Sequence, residues 1–268
     1  MRILRRFFVR VFPLALLWIA STASAQHVDI SPVNLAGTIV TNGYDDSTGD
    51  NLLNLRVFGL DFGEDPFDPF FIGDPGFNSP AGSGLLGGTP LGFDILGQLS
   101  GAGPLPFNLS YWDGTGPVTW GAVPDGETLL LQFGAQNVEV GDGTGLLPGF
   151  NLGTPFGDGS LHRHLNTFLQ DETGDSLLGA SVTDGIYAIS MQLRQAGLTT
   201  SDPFWLVFNL NMSEETHEIA MESFTAVPEP GSLALLMTGL VGGLYWRKRR
   251  QAAQEADGKL PETPTSPI

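Results

Sequence analysis

Cysteine is absent from all 268 positions of this sequence, and its absence excludes two kinds of site. No disulfide can cross-link the chain, and no thiolate can ligate a metal ion. The stability must therefore come from an apolar core, and a chain of this length can bury one of sizeable volume. Any bound metal ion would have to be held by imidazole and carboxylate groups.

Cations are nearly absent from the middle of the chain. Of the 12 Lys and Arg residues, four precede residue 11 and five follow residue 246, which leaves Arg56, Arg163 and Arg194. Residues 26–226 set 25 acidic residues against these three, a formal charge of −22. A surface this acidic repels nucleic acid, which we exclude as a partner, and it attracts cations.

Recognisable catalytic motifs are also missing. The sequence contains no Gly-x-Ser-x-Gly, no phosphate-binding glycine loop followed by Lys, and no His-Glu-x-x-His. Pairs of carboxylates are frequent, but so many acidic residues produce close pairs by chance and give a glycosidase no specific support. The sequence therefore indicates a protein that is not an enzyme, with an exported hydrolase of unrecognised site as an alternative.

The N-terminus has the pattern of a secretory signal peptide in residues 1–25. Four arginines precede an apolar segment at residues 11–20, and the small-residue sequence Ala23-Ser24-Ala25 follows it. This order of a basic start, an apolar core and a small-residue site is the one that signal peptidase recognises and cleaves. We expect the mature chain to begin at Gln26.

A segment of three parts lies near the C-terminus, at residues 227–250. It opens with Val227-Pro228-Glu229-Pro230, whose prolines favour an extended linker. A run of 16 uncharged residues, 231–246, follows. As a helix it would span about 24 Å, slightly less than a hydrocarbon core of about 30 Å. The cluster Arg247-Lys248-Arg249-Arg250 then predicts the cytoplasmic end of a transmembrane helix.

This three-part segment resembles the PEP-CTERM sorting signal of exported bacterial proteins. The resemblance implies recognition by an exosortase-type membrane protease and cleavage close to Pro228-Glu229-Pro230. It implies a precursor anchored in the inner membrane with residues 26–226 facing outward, followed by release to the cell surface or the medium. The tail at residues 251–268, which we expect to be disordered, is longer than is usual for such signals. A plain C-terminal membrane anchor is the alternative.

Residues 26–226 contain short β-prone runs separated by turn residues. The predicted strands are residues 52–60, 128–133, 137–140, 185–193 and 204–210. In the fourth of these, large apolar residues alternate with smaller or polar ones, which predicts a half-buried strand. We expect a mainly β fold: a single antiparallel β-sandwich or jelly-roll-like domain with long loops.

Two further segments depart from this pattern. Residues 161–170 and 213–224 carry helical signals, the second with Ser213 in position to cap a short helix. Residues 61–106 are rich in glycine and proline and poor in strand signals, and we interpret them as a packed surface loop.

The four histidines are the candidate metal ligands: His27, His162, His164 and His217. In an extended chain, residues i and i+2 point to the same side, so His162 and His164 would face one ion together. In a helix the same two side chains would diverge by about 200°. Imidazole and carboxylate without thiolate suit Zn²⁺. Separate surface histidines are the alternative.

The sequence offers calcium less support than zinc. Asp113-Gly114-Thr115-Gly116 and Asp142-Gly143-Thr144-Gly145 resemble the start of calcium-binding loops, but they lack the later acidic residues of an EF-hand. Tight turns explain both sequences more simply, because Asp-Gly favours turn conformations. Ca²⁺ is therefore the less favoured ligand.

Five short sequence segments within residues 26–226 carry a second resemblance. They are His27-Val28-Asp29-Ile30, Phe58-Gly59-Leu60-Asp61-Phe62, Tyr111-Trp112-Asp113-Gly114, residues 158–168 and the acidic segment around His217. They resemble a family of PEP-CTERM proteins controlled by the zinc-uptake repressor (Zur-repressed). The resemblance implies expression under zinc shortage, and with it surface zinc acquisition or storage through the four histidines. A structural component of an extracellular polysaccharide matrix or biofilm, without a specific metal site, is the alternative.

Overall fold

The structure, a computed structural model, describes residues 28–45, 47–63 and 66–225. The predictions for the signal peptide, His27, the sorting segment at 227–250 and the tail at 251–268 lie outside the described residues. Fifteen strands and one α-helix form within the described ranges: β1 (Val28–Leu35), β2 (Thr38–Asp45), β3 (Asp50–Leu52), β4 (Val57–Asp61), β5 (Phe71–Ile72), β6 (Gly76–Ser79), β7 (Leu91–Leu96), β8 (Leu109–Trp112), β9 (Thr128–Phe133), β10 (Gln136–Val140), β11 (Leu147–Gly153), β12 (Leu161–His164), β13 (Asn166–Gln170), β14 (Gly185–Gln195), β15 (Phe204–Leu210) and α1 (Glu214–Thr225). Two short 3-10 turns lie at Gln98–Ser100 and Pro124–Gly126.

The strands form three sheets. The five-stranded sheet has the order β12-β6-β1-β2-β3, and the four-stranded sheet has the order β10-β9-β13-β5. The six-stranded sheet has the order β11-β7-β14-β15-β4, and β8 also pairs with β14. Most neighbouring strands are antiparallel, but β1 with β6 and β15 with β4 are parallel pairs. The expectation of a mainly β fold is confirmed.

The central sheet is buried on both faces. Tyr187 and Ile189 of β14 belong to a core to which all three sheets contribute side chains. Ile186 and Ala188, on the other face of the same strand, pack in a second apolar cluster that includes Phe224 of α1. The prediction of a half-buried strand was therefore wrong, because α1 covers the face that would otherwise meet water.

The predicted strand at residues 52–60 is interrupted. Its first part ends as β3 at Leu52, and its second part begins as β4 at Val57. Between them Asn54 has a left-handed backbone conformation, with a φ of 57°, and its N–H donates to Asn42 Oδ1 over 2.8 Å. A left-handed residue cannot continue a strand, so the chain turns there. By contrast, the predictions for 128–133 and 204–210 match β9 and β15.

The interpretation of residues 61–106 as a surface loop was wrong. This segment supplies β5, β6 and β7, and Phe77, Phe93 and Ile95 from it are fully buried in the main core. Turns separate these strands, and Gly82 and Gly88 adopt positive φ in two of them. Each strand is therefore short, and runs of two to six residues carry little detectable alternation.

The helical signal at residues 161–170 was also misleading, because β12 and β13 occupy this segment. Leu161, Leu165 and Leu169 recur at the four-residue spacing of a helix, and all three are buried. Leu161 lies in β12, Leu169 lies in β13 of a different sheet, and Leu165 connects the two strands. The second helical prediction is confirmed by α1, where Ser213 Oγ accepts the Thr216 N–H over 3.2 Å. Among the described residues, no helix has the length and apolar character needed to span a membrane.

Candidate metal centre

β12 holds His162 and His164 in an extended chain, so their rings project from the same face of the strand. Their Nε2 atoms lie 2.9 Å apart, and the ring centroids are separated by 4.9 Å. Leu161 points to the opposite face and is buried in the main core. Because the pleat alternates sides, burial of Leu161 directs the two histidines outward.

The pairing of three strands brings a carboxylate beneath the two rings. β12 pairs with β6, so that His162 faces Asn78 and His164 faces Gly76. β6 in turn lies beside β1, which carries Asp29. The distance from His162 Nε2 to Asp29 Oδ2 is 3.9 Å, and the ligating atoms of Asp29, His162 and His164 all lie within 4.8 Å of one another.

Gly76 provides the space that the Asp29 carboxylate occupies. A Cβ built on Gly76 would lie 1.9 Å from Asp29 Oδ1 and 3.0 Å from His164 Cε1. Any larger residue would displace the carboxylate from its place under the imidazoles. Glycine at this position is therefore required by the arrangement of the ligating atoms.

Neighbouring groups orient the two side chains that are least exposed to solvent. His164 Nδ1 lies 3.2 Å from Asp74 Oδ1, and a carboxylate can only accept a hydrogen bond. The proton of a neutral His164 ring is therefore on Nδ1, which leaves the Nε2 lone pair directed at His162. Asn78 Nδ2 donates to Asp29 Oδ2 over 3.3 Å. Outer contacts of this kind fix the orientation of metal-ligating side chains.

The geometry suits a small divalent cation. Ligands of a tetrahedral Zn²⁺ at about 2.0–2.1 Å lie about 3.3 Å from each other, close to the separation of the two Nε2 atoms. The side chains of His162 and His164 are 55% and 47% exposed, so an ion can reach them from solvent. Two nitrogens and one oxygen leave a fourth position for water or another side chain.

The structure brings together two of the four predicted histidines. His217 lies in α1, where its Nδ1 faces Asp61 rather than the His162–His164 pair. His27 lies outside the described residues, two positions before Asp29 in the sequence. Asp74 and Gly76 were not identified from the sequence, since both fall in the segment interpreted as a loop. Asp29 was named only as part of the segment His27-Val28-Asp29-Ile30, which gave no sign that its carboxylate meets His162 and His164.

The Asp-Gly-Thr sequence at residues 113–115 forms a tight turn. Asp113 Oδ1 accepts the Thr115 N–H over 2.9 Å and the Thr115 hydroxyl over 2.8 Å. These hydrogen bonds lower the pKa of Asp113. Asp45, Asp158 and Asp171 make the same pair of contacts with the Ser or Thr two residues later. Hydrogen bonds within the turn therefore explain the position of the Asp113 carboxylate, and no bound ion is needed for it.

Fold and site together define an acidic, mainly β domain with an imidazole–carboxylate cluster on one sheet. The chain carries a PEP-CTERM protein-sorting motif, because the family model of that motif matches residues 226–250. The motif implies an exported protein that an exosortase, a membrane protease, recognises and processes. No curated protein and no solved structure matches the chain.

Proposed function

We propose that this protein captures a divalent metal ion, Zn²⁺ in the first place, at the surface of the cell. The ion would be held by Asp29, His162 and His164, for acquisition or storage when zinc is scarce. The observation that carries the proposal is the 2.9 Å approach of the two Nε2 atoms over the Asp29 carboxylate. The resemblance to Zur-repressed PEP-CTERM proteins agrees with it.

Two properties of the chain support capture outside the cell. The formal charge of −22 over residues 26–226 raises the local concentration of cations near the surface. The sorting motif implies export to the cell surface, where the protein would meet ions of the surrounding medium. His27, two residues before Asp29, is the first choice for a fourth ligand, and a water molecule is the second.

Processing completes the proposed pathway. Signal peptidase would remove residues 1–25, and the exosortase would cleave near Pro228-Glu229-Pro230, the linker between the domain and the apolar run. Arg247-Lys248-Arg249-Arg250 would hold the precursor with the domain outward until cleavage. The acidic domain would then be free to contact the extracellular polysaccharide.

The decisive experiment is calorimetric titration of the purified protein with Zn²⁺ and with Ca²⁺. We expect one Zn²⁺ to bind at this site and Ca²⁺ to bind far more weakly. Replacing both His162 and His164 with Ala should remove this binding. At a free Zn²⁺ concentration one hundred times Kd, the ion should raise the free energy of unfolding by about 2.7 kcal/mol.

Gly76→Ala gives a second variant that leaves every ligand in the sequence. It should weaken Zn²⁺ binding because the new Cβ would occupy the place of Asp29 Oδ1. Gly145→Ala is the matched control, since a Cβ there meets no atom within 4 Å. Weak and equal binding of both ions, unchanged in the His162→Ala/His164→Ala variant, would contradict the proposal and favour the polysaccharide-matrix alternative.

A further inference from the structure

A second group of ligating side chains lies where α1 packs on the six-stranded sheet. His217 in α1 is fully buried, and its Nε2 lies 3.0 Å from the carbonyl oxygen of Val207. Since a carbonyl can only accept, Nε2 carries a hydrogen. In the neutral ring Nδ1 then has the lone pair. Among the described residues, this buried Nδ1 has no hydrogen-bond partner.

The Nδ1 atom is directed at two carboxylates. Asp61, at the end of β4, places Oδ1 3.4 Å away, and Asn209 Nδ2 donates to the same oxygen over 2.8 Å. Glu214 belongs to the first turn of α1, and the ligating atoms of all three residues lie within 4.8 Å of one another. A lone pair facing carboxylates is repulsive, so the group needs a positive charge, which either a second proton on the His217 ring or a metal ion supplies.

We propose that Asp61, Glu214 and His217 form a second divalent metal site, separate from the one at His162 and His164. One imidazole nitrogen and two carboxylates are donors that suit Zn²⁺ and Mn²⁺. The ion would join α1 to β4, two elements that contact each other directly. Asp61 is partly exposed and Glu214 is exposed, which gives the ion a route from solvent.

The distances fit a metal ion as well as an ion pair between a protonated His217 and Asp61. The 3.4 Å separation of Nδ1 and Asp61 Oδ1 exceeds the usual 2.7–3.2 Å of an N–H···O bond. It is close to the roughly 3.3 Å between ligands of a tetrahedral ion. A proton on Nδ1 can be donated to only one of the two carboxylates at a time, whereas a metal ion can bind both.

Close packing of the helix on the strand produces this arrangement. A Cβ on Gly59 of β4 would lie 3.1 Å from His217 Cε1 and 2.6 Å from Met221 Sδ. Without that atom, α1 approaches β4 closely enough for His217 to reach Asp61. The same approach brings the first turn of the helix, with Glu214, over the end of the strand.

The test uses the full chain with His162→Ala and His164→Ala, which removes the first site. Calorimetric titration with Zn²⁺ should still show one bound ion, and Zn²⁺ should still raise Tm. Adding Glu214→Gln should lower the remaining affinity by roughly tenfold or more, since even outer-shell partners of a metal contribute 10–100-fold. Glu215→Gln is the matched control, because Glu215 is exposed in the same helical turn but lies outside the cluster.

Both Glu variants keep the buried His217, so loss of folding does not confuse the result. The proposal is overturned if the variant lacking the first site binds no Zn²⁺ stoichiometrically. It is also overturned if Glu214→Gln and Glu215→Gln have equal effects, which would leave a His217–Asp61 ion pair or diffuse attraction. The difference between wild type and the His162→Ala/His164→Ala variant reports on the first site alone, so the two sites can fail separately.

Discussion

His164 illustrates how the neighbours of one side chain set its chemistry. Asp74, 90 positions earlier in the chain, accepts from Nδ1, so the lone pair of the ring is on Nε2, which faces His162 Nε2 at 2.9 Å. An imidazole without such a partner would exchange between two tautomers and present its lone pair only part of the time. At this scale the site depends as much on Asp74 and Gly76 as on the two histidines.

Asp171 gives a prediction about pH at the same scale. Its Oδ1 accepts from the Thr173 hydroxyl and from the N–H groups of Thr173 and Asp175, and Oδ2 accepts from the Ser181 N–H. These hydrogen bonds, of which the one from the Thr173 hydroxyl is the strongest cause, lower the pKa of Asp171 to about 2. A lowered pKa in the folded state means that ionised Asp171 stabilises the fold above its unfolded pKa of about 3.9.

We therefore expect wild type to be more stable than Asp171→Asn near pH 6. The difference should shrink as the pH falls from about 4 towards about 2, because protonation removes the charge that the turn holds. Chemical denaturation of both proteins across this range measures it. Asp175→Asn serves as a control for the loss of one negative charge in the same turn. A stability difference that stays constant down to pH 2 would contradict the assignment.

At the scale of elements, α1 is fixed at its C-terminal end by aromatic contacts. The Phe224 ring stacks on Trp205 at 5.2 Å and lies 5.3 Å from the ring of Trp120. Trp120 Nε1 also donates a hydrogen bond to Ser223 Oγ over 3.3 Å. The Arg56 guanidinium lies over the Trp205 ring, 5.0 Å from its centroid. The helix therefore remains packed on the sheet up to the residues that precede the sorting motif.

Phe224→Ala should lower the free energy of unfolding by about 3–5 kcal/mol, the usual cost of removing a buried Phe side chain. Ile219→Ala is the control in the same helix, since Ile219 is 44% exposed and its truncation should cost far less. Denaturant titration of the two variants measures the difference. Equal effects would show that the aromatic contacts do not hold α1 on the sheet.

At the scale of the whole molecule, the distribution of charge follows the division of the chain into two basic ends and an acidic middle. The cations are concentrated at the two ends, and the 25 acidic residues of positions 26–226 face only three cations. Such a distribution gives the acidic domain between the two ends a strong attraction for external cations. Helix α1 reaches Thr225, the residue that precedes the matched motif in the sequence.

We predict that mature protein recovered from the cell surface begins at Gln26 and ends near Pro228-Glu229-Pro230. Mass spectrometry of intact protein from exosortase-positive and exosortase-negative cells measures both ends. In cells without the protease, the C-terminal segment should remain attached. Surface protein that still carries Ile268 in the presence of the protease would show that the segment is a plain anchor.

The sequence by itself determined the features that are encoded in neighbouring residues. The sorting motif is contiguous, so its Pro-Glu-Pro, apolar and basic parts were recognisable in order. Strands β9 and β15 and the capped helix α1 were predicted because their signals are local. The same-side projection of His162 and His164 also followed from local geometry, once the chain was taken as extended.

Only the tertiary structure decided which distant residues join the histidines. Asp29, Asp74 and Gly76 reach them through the pairing of β12 with β6 and of β6 with β1. The packing of α1 on β4 likewise separates His217 from that pair and brings it to Asp61. Local periodicity reports which face of a strand is apolar, but it does not report which strand lies beside it. That choice depends on burying all three sheets in one core.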